Sequence, residues 1–295
     1  MTRNRAIYEL ILAGALWGFG FVATVWGLKT MTPVQFLFLR FFLAFFFSGI
    51  IAFAINARTV TSQKKWLAGL LAELRIGWPA GILLGILLLL QTVGLKTTSA
   101  TESGFITTLY VIFVPLFQHF FFRKKQPLSV FVFATFALIG VYFLAGGLST
   151  FDTGHLLTLA CAMIAAIHII YVGLMSSKSQ KPFQFNSVQS LFCMLMMATM
   201  LPLEPTSLLS IKHEFLPWLG LLITVFGSTL IAFTIQIRTQ KVLSATTASM
   251  LFLLESPYAA LFGALFLNER LSWLQMSGAC LILISSFLTV KAEKL

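Results

Sequence analysis

SATTASMLFLLESPYAALFGALF, residues 244–266, decides how this chain is read. The stretch is apolar or small throughout except for one carboxylate, Glu255, with Pro257 two positions later. A bilayer core about 30 Å thick needs on the order of 20 mostly apolar residues per helical span, so this run is long enough to cross one. At about 1.5 Å per residue Glu255 then lies roughly 16 Å deep, near the midplane. Placing an acidic side chain there costs on the order of 2.5 to 3.5 kcal/mol, so Glu255 is expected to face a cavity or a partner instead of acyl chains. Pro257 cannot donate to the carbonyl of Leu253, which predicts a kink and a freed carbonyl beside the carboxylate.

The rest of the chain follows the same pattern. Of its 295 residues 58% are hydrophobic and only 10% charged, with a mean hydropathy of +0.93, far from the composition of a soluble domain. Ten spans are predicted, at 7–28, 33–55, 74–95, 99–121, 128–147, 153–174, 183–203, 216–237, 244–266 and 272–290. The longest connection, INARTVTSQKKWLAGLLAELR, has the size of a surface loop and leaves no room for a soluble catalytic domain.

The net charge of +11 does not point to nucleic acid. With a cytoplasmic N-terminus, fifteen of the twenty Lys and Arg fall in inner segments. Lys29, Lys96, Lys212 and Arg270 fall in outer loops, and Arg40 falls within a span. This is the bias of the positive-inside rule, and it predicts that both termini are cytoplasmic. Cys161, Cys193 and Cys280 all lie in predicted spans, which argues against a disulfide framework. The first apolar segment follows Arg3 and Arg5 as a signal sequence would, but it is too long and lacks a small-residue cleavage site, so it is expected to stay.

An offset of 145 residues aligns the chain with itself. It pairs SAT at 99–101 with SAT at 244–246, Gln91 with Gln236, RKK at 123–125 with NER at 268–270, Gly140 with Ser285, and Tyr110 with Glu255. Each copy then holds five spans, and because five is odd the second copy enters the membrane from the opposite side. The expected fold is thus an all-α polytopic membrane protein of ten transmembrane helices. They form two inverted five-helix repeats, 1–147 and 153–290, followed by a short cytoplasmic tail, 291–295. Inverted repeats of this kind are a transporter architecture.

LILAGALWGFGFVATVWGLKTMTPVQFLFLRFFLAFFF, TTSATESGFITTLYVIFVPLFQHFFFRKKQP and VLSATTASMLFLLESPYAALFGALFLNERLSWLQMSGACLILISS resemble the EamA-type members of the drug/metabolite transporter superfamily over nearly the whole chain. The resemblance implies a ten-helix inner-membrane carrier of small metabolites, often an exporter of amino acids or related compounds, with no metal or organic cofactor. Two positions depart from the family's pattern. His155 stands where an acidic residue is often found near the start of the second copy, and Ser256 separates Glu255 from Pro257 where the family often runs Glu-Pro.

Several side chains are candidates for the substrate path. Arg40, roughly 10 Å deep, has two readings. It binds one end of a zwitterion whose other end meets Glu255, since a guanidinium holds carboxylate or phosphate with paired bonds, or it snorkels to the outer headgroups. Trp17 and Tyr110 near the midplane, and Tyr258 one turn beyond Glu255, combine apolar bodies with polar tips suited to a cavity wall. Glu255 and His168 are the proton-coupling candidates, with an interhelical hydrogen bond as the alternative for His168. Pro115 and Pro257 are hinge candidates. Gln91 and Gln236, paired by the repeat, are either gate contacts at opposite depths or interhelical bonds. Trp26, Trp78 and Trp273 read as interfacial anchors.

Other features read as structural. SATE at 99–102 has the spacing of a capping box, SWLQ at 272–275 repeats it, and Glu269 belongs to the same outer turn. Gly77, Gly81 and Gly85 lay a smooth stripe on the third span for a neighbouring helix, as do Ala259 and Gly263 on the ninth. A phosphate-binding glycine loop and a zinc-protease histidine pair are both absent from the sequence, so an ion gradient or substrate exchange is expected to supply any work. The chain therefore reads as a secondary carrier, functional as a monomer in the bilayer, without catalytic or metal-binding residues. A membrane-embedded enzyme using Glu255 and His168 on a lipid, and a passive channel, are the alternatives.

Overall fold

The computed structural model describes residues 1–56, 63–123, 128–144, 152–179 and 181–293. Among these residues every regular element is helical. The first half comprises α1 (Arg3–Gly27), α2 (Pro33–Asn56), α3 (Gln63–Gly94), α4 (Ala100–Thr107), α5 (Tyr110–Phe122) and α6 (Leu128–Leu144). The second comprises α7 (Thr153–Ser176), α8 (Pro182–Met200), α9 (Phe215–Ile223), a π-helical segment (Thr224–Ala232), α10 (Phe233–Thr239), α11 (Ala245–Phe252), α12 (Glu255–Leu267) and α13 (Trp273–Glu293).

Among the described residues eight stretches are long and apolar enough to cross a bilayer, at the places of the first four and the sixth to ninth expected spans. At the fifth and tenth places, α6 and α13 carry shorter apolar runs, Thr135–Leu144 and Trp273–Ser285. The chain is a multi-pass membrane protein. Residues 145–147 of the expected fifth span, residues 294–295 of the expected tail, and Arg58, Lys124, Lys125 and Lys294 of the basic segments lie outside the described residues.

The structure revises five of the expected spans. The third helix starts at Gln63 and not at 74, because the Leu- and Ala-rich run before Pro79 favours helix throughout. Its extension is anchored at Glu73, which accepts hydrogen bonds from the Ser179 hydroxyl and the Lys181 N–H, each at 3.1 Å. The fourth and ninth spans are each split into two helices. The eighth changes to π-helical winding over Thr224–Ala232. Last, α13 continues to Glu293, into the region expected to be tail.

The helix ends follow from local chemistry. Ser99 and Ser244 cap α4 and α11, and Asp152 caps α7. Both expected capping boxes form, with Glu102 returning to the Ser99 N–H and Gln275 to the Ser272 N–H. Arg123 and Asn268 end α5 and α12 in left-handed conformation, with φ of 52° and 56°.

Helices of the two halves interleave. α1 packs on α12, α9 and the π segment, α2 on α8, α3 on α7 and α8, and α6 along α13. The glycine stripe of α3 meets α8 as expected: a Cβ at Gly77 would stand 2.6 Å from a Val188 methyl, and one at Gly81 2.7 Å from Phe192 Cβ. Trp26 is not an interfacial anchor. It is buried edge-on against Phe19 and Phe266, because the α1 face it occupies is covered by α12, whereas Trp78 and Trp273 are exposed.

Candidate functional site

The two split spans position the site. α11 ends at Phe252, Leu253 and Leu254 form a turn, and Glu255 opens α12. In the first half α4 ends at Thr107, Thr108 and Leu109 form a turn, and Tyr110 opens α5. All four boundaries of these helices, together with the serine caps and the left-handed ends, differ by the same 145 positions. Glu255 thus stands at a helix N-terminus, where unpaired N–H groups and the helix dipole favour a negative charge.

The cause of the break differs from the expected one. The carbonyl of Leu253 is not a free ligand, since Ser256 donates to it from its N–H at 3.2 Å and its hydroxyl at 3.0 Å. Ser256, which interrupts the family's Glu-Pro pair, repairs what Pro257 removes. In the first half the position matching Pro257 is Ile112, yet the turn forms, with Val111 and Ile112 bonding three residues back to Thr108 and Leu109. Pro115 lies inside α5, beyond that turn. Neither proline reaches the cavity described next.

That cavity lies between the halves, with a volume of about 70 Å³ open to the centre of a water-sized sphere. Glu255, Arg40, Trp17, Tyr110, His168, Gln91 and Gln236, all singled out in the sequence, line it. Tyr258 does not: it stacks on Phe262 with ring centroids 6.2 Å apart, and its Cβ lies against Gly18 of α1. The Tyr110 hydroxyl donates to Glu255 Oε2 at 3.3 Å.

Arg40 is 4% exposed and does not reach for headgroups. Its Nε donates to the Thr229 hydroxyl at 2.8 Å, and its guanidinium carbon stands 5.5 Å from the Phe41 ring centre. Arg40 and Glu255 share the cavity without an ion pair between them. A cation and a carboxylate thus line one cavity, each bonded to its own neighbour, Thr229 and Tyr110.

The π segment and α8 supply the residues that sequence reasoning missed. Extra winding lets the Thr229 hydroxyl donate five residues back to Thr224 at 2.9 Å while it accepts from Arg40. Trp17 Nε1 donates to the Ser228 carbonyl at 3.2 Å and Asn186 Nδ2 to the Thr229 carbonyl at 2.8 Å, so side chains of α1 and α8 bond main-chain oxygens of the π segment. His168 bonds Gln189 Oε1 at 2.9 Å through Nε2 and also lines the cavity. The signal was present: FNSVQS at 185–190 sets Asn186, Gln189 and Ser190 on one helical face of an otherwise apolar span.

Polar contacts close the bundle at both ends. At one, Glu9 accepts from Arg5 at 3.0 Å and from Arg238 at 2.5 Å, tying α1 to α10. At the other, the Glu269 carboxylate accepts the N–H groups of Ala100 and Thr101 at 2.8 and 2.9 Å and the Thr101 hydroxyl at 2.5 Å, so it caps α4 from beyond α12. Gln275 donates to Glu102 beside it at 2.9 Å. Glu269, expected to be a plain turn residue, is a tie between the halves.

An apolar helical bundle that shields a guanidinium and a carboxylate around a central cavity has the build of a multi-pass membrane transporter. The family model of the EamA-like transporter family matches the chain twice in succession, over residues 4–146 and 152–291. An uncharacterized transporter of Archaeoglobus fulgidus is 30% identical over 289 residues, covering 97% of this chain and 85% of its own. A second uncharacterized transporter, from Methanothermobacter thermautotrophicus, is 26% identical over 208 residues, 68% of this chain and 59% of its own. A protein of known crystal structure with 19% identity shares the fold, with a TM-score of 0.67 over 99% of both chains. The chain belongs to the EamA-like transporter family, within the drug/metabolite transporter superfamily.

Proposed function

We propose that the protein is a secondary carrier that exports a small metabolite, an amino acid or a related compound, by alternating access. In this reading the chain makes ten membrane spans in two five-helix copies of opposite orientation, 1–147 and 153–290. Both termini lie in the cytoplasm, and the membrane is the inner, or plasma, membrane. It is not an enzyme, and it works as a monomer without a cofactor.

One observation carries the reading: Arg40 and Glu255, both shielded from lipid, line one cavity at the meeting of two helices broken 145 residues apart. The repeated match to the family model and the repeated break support a duplication. The positive-inside bias supports the orientation. Separate ties at the two ends, Glu9 with Arg238 and Glu269 with the start of α4, allow one end to release while the other holds. Glu255 takes up a proton as the solute leaves, so that an ion gradient or exchange supplies the work.

The test is a metabolite screen in proteoliposomes with an imposed pH gradient, comparing the wild type with Glu255→Gln. The wild type is expected to accumulate one chemical class of solute and to show counterflow when the far side is preloaded. Glu255→Gln is expected to lose proton-driven uptake and keep exchange. Unchanged gradient-driven uptake in the variant would remove Glu255 from coupling. Turnover of a lipid in detergent, with no solute moved, would overturn the carrier reading.

A further inference from the structure

Two chains of side-chain amides start at backbone carbonyls and end in the cavity. A carbonyl oxygen only accepts, so its partner's orientation is set, and each amide passes that polarity to the next. The Thr229 carbonyl takes Asn186 Nδ2 at 2.8 Å, with the Thr234 hydroxyl also within 3.0 Å of that nitrogen. Asn186 Oδ1 is then the atom facing Gln189 and accepts its Nε2 at 3.4 Å. Gln189 is left with Oε1 toward His168, so the bond at 2.9 Å is donated by His168 Nε2. The neutral ring is therefore the Nε2–H tautomer, and Nδ1 carries a lone pair. Nδ1 has no hydrogen-bond partner among the described residues, and the ring lines the cavity.

The second chain starts at the Ile169 carbonyl, which accepts Gln240 Nε2 at 3.0 Å. Gln240 Oε1 then accepts Gln236 Nε2 at 3.2 Å, leaving Gln236 Oε1 as an acceptor on the cavity wall. The third acceptor is Glu255 Oε1, since Tyr110 occupies Oε2.

We propose that His168 is a ligand for the cargo. Its Nδ1, with Glu255 Oε1 and Gln236 Oε1, accepts the three N–H bonds of a primary ammonium group, while Arg40 holds the anionic end. Asn186 and Gln189 touch no cargo; they are positioning residues that lock the imidazole as an acceptor. Three donors meet three acceptors, whereas a trimethylated amine would leave all three acceptors unsatisfied. The ligand assignment rests on the carrier reading of the cavity; the locked tautomer does not.

The experiment uses the full chain, labelled with nitrogen-15 in its four histidines and held in lipid nanodiscs, with His168→Gln assigning the signal. Long-range proton–nitrogen correlation reads both ring nitrogens. The expected wild-type pattern is a protonated Nε2 and a lone-pair Nδ1, and a protonated Nδ1 overturns the lock with no variant needed. Gln189→Leu is expected to mix the two tautomers, and Gln189→Glu, which still accepts, to restore one. A single Nε2–H tautomer in Gln189→Leu would overturn the positioning role. A mixture of the common amino acids is expected to move the Nδ1 signal, and the N-trimethylated mixture to leave it in place. No movement with the first mixture, or equal movement with both, overturns the ligand assignment. A locked tautomer in a protein that moves no solute would contradict the carrier reading alone.

Discussion

The hydroxyl of Tyr110 donates to the carboxylate of Glu255 at 3.3 Å, and the two residues, 145 positions apart, each open the second helix of a broken span. Two helix N-termini thus meet in the middle of the bundle, and their first side chains bond each other on the wall of the cavity.

Tyr110→Phe keeps the edge-on ring contact with Phe252 but leaves Glu255 Oε2 without its donor. The cost is about 1 to 2 kcal/mol, the loss of a partner to a buried acceptor. Thermal unfolding in detergent is expected to show a lower midpoint. An unchanged midpoint would mean that the bond carries no weight in the ground state.

Close approach of α1 and α12 depends on Gly18. A Cβ there would stand 2.5 Å from Tyr258 Cβ and 2.9 Å from the Ala259 nitrogen, and a backbone neighbour cannot turn aside. Gly18→Ala is expected to cost about 1 to 3 kcal/mol through overpacking. Gly49→Ala in α2 meets open space and should be neutral or stabilising by up to about 1 kcal/mol, through helix propensity alone. Parallel melting curves of the two variants distinguish the effects, and equal loss in both would contradict the packing argument.

Acid should loosen the start of α7. Partial burial raises the Asp152 carboxyl, but hydrogen bonds from the His155 N–H, the His155 ring and the Thr97 hydroxyl outweigh it and hold the group below its ordinary range. A carboxyl depressed in the folded state contributes stability that is present above its unfolded value and lost as pH falls through the folded one. Melting curves followed down through the carboxylate range are expected to fall more steeply for the wild type than for Asp152→Asn, which does not titrate. Identical slopes would contradict this.

Much of this architecture was legible in the residues. Apolar run lengths placed the spans, because only a closed hydrogen-bonded helix satisfies the backbone in lipid. The cost of an intramembrane charge marked Glu255 and Arg40 as residues that must avoid acyl chains. Hydropathy says nothing about winding, however. The π segment at Thr224–Ala232 takes bonds from Trp17 and Asn186, which lie 211 and 43 residues away from the carbonyls they reach. Pro257 predicted a break but misplaced its consequence, since whether a freed carbonyl finds Ser256 is a matter of local geometry. Glu269 looked like a turn residue because its partners, Ala100 and Thr101, belong to the other half of the chain.

The central claim is that the cavity around Glu255 opens to each side of the membrane in turn. Thr24, on α1, lines that cavity, and Cys161 and Cys193 are fully buried, so Thr24→Cys with Cys280→Ser offers one reporter thiol. Sealed vesicles of both orientations are treated with a membrane-impermeant maleimide, with and without an imposed gradient. Modification from both faces, in proportions that the gradient shifts, is the predicted result. Modification from one face alone under every gradient, or from neither, would contradict the account.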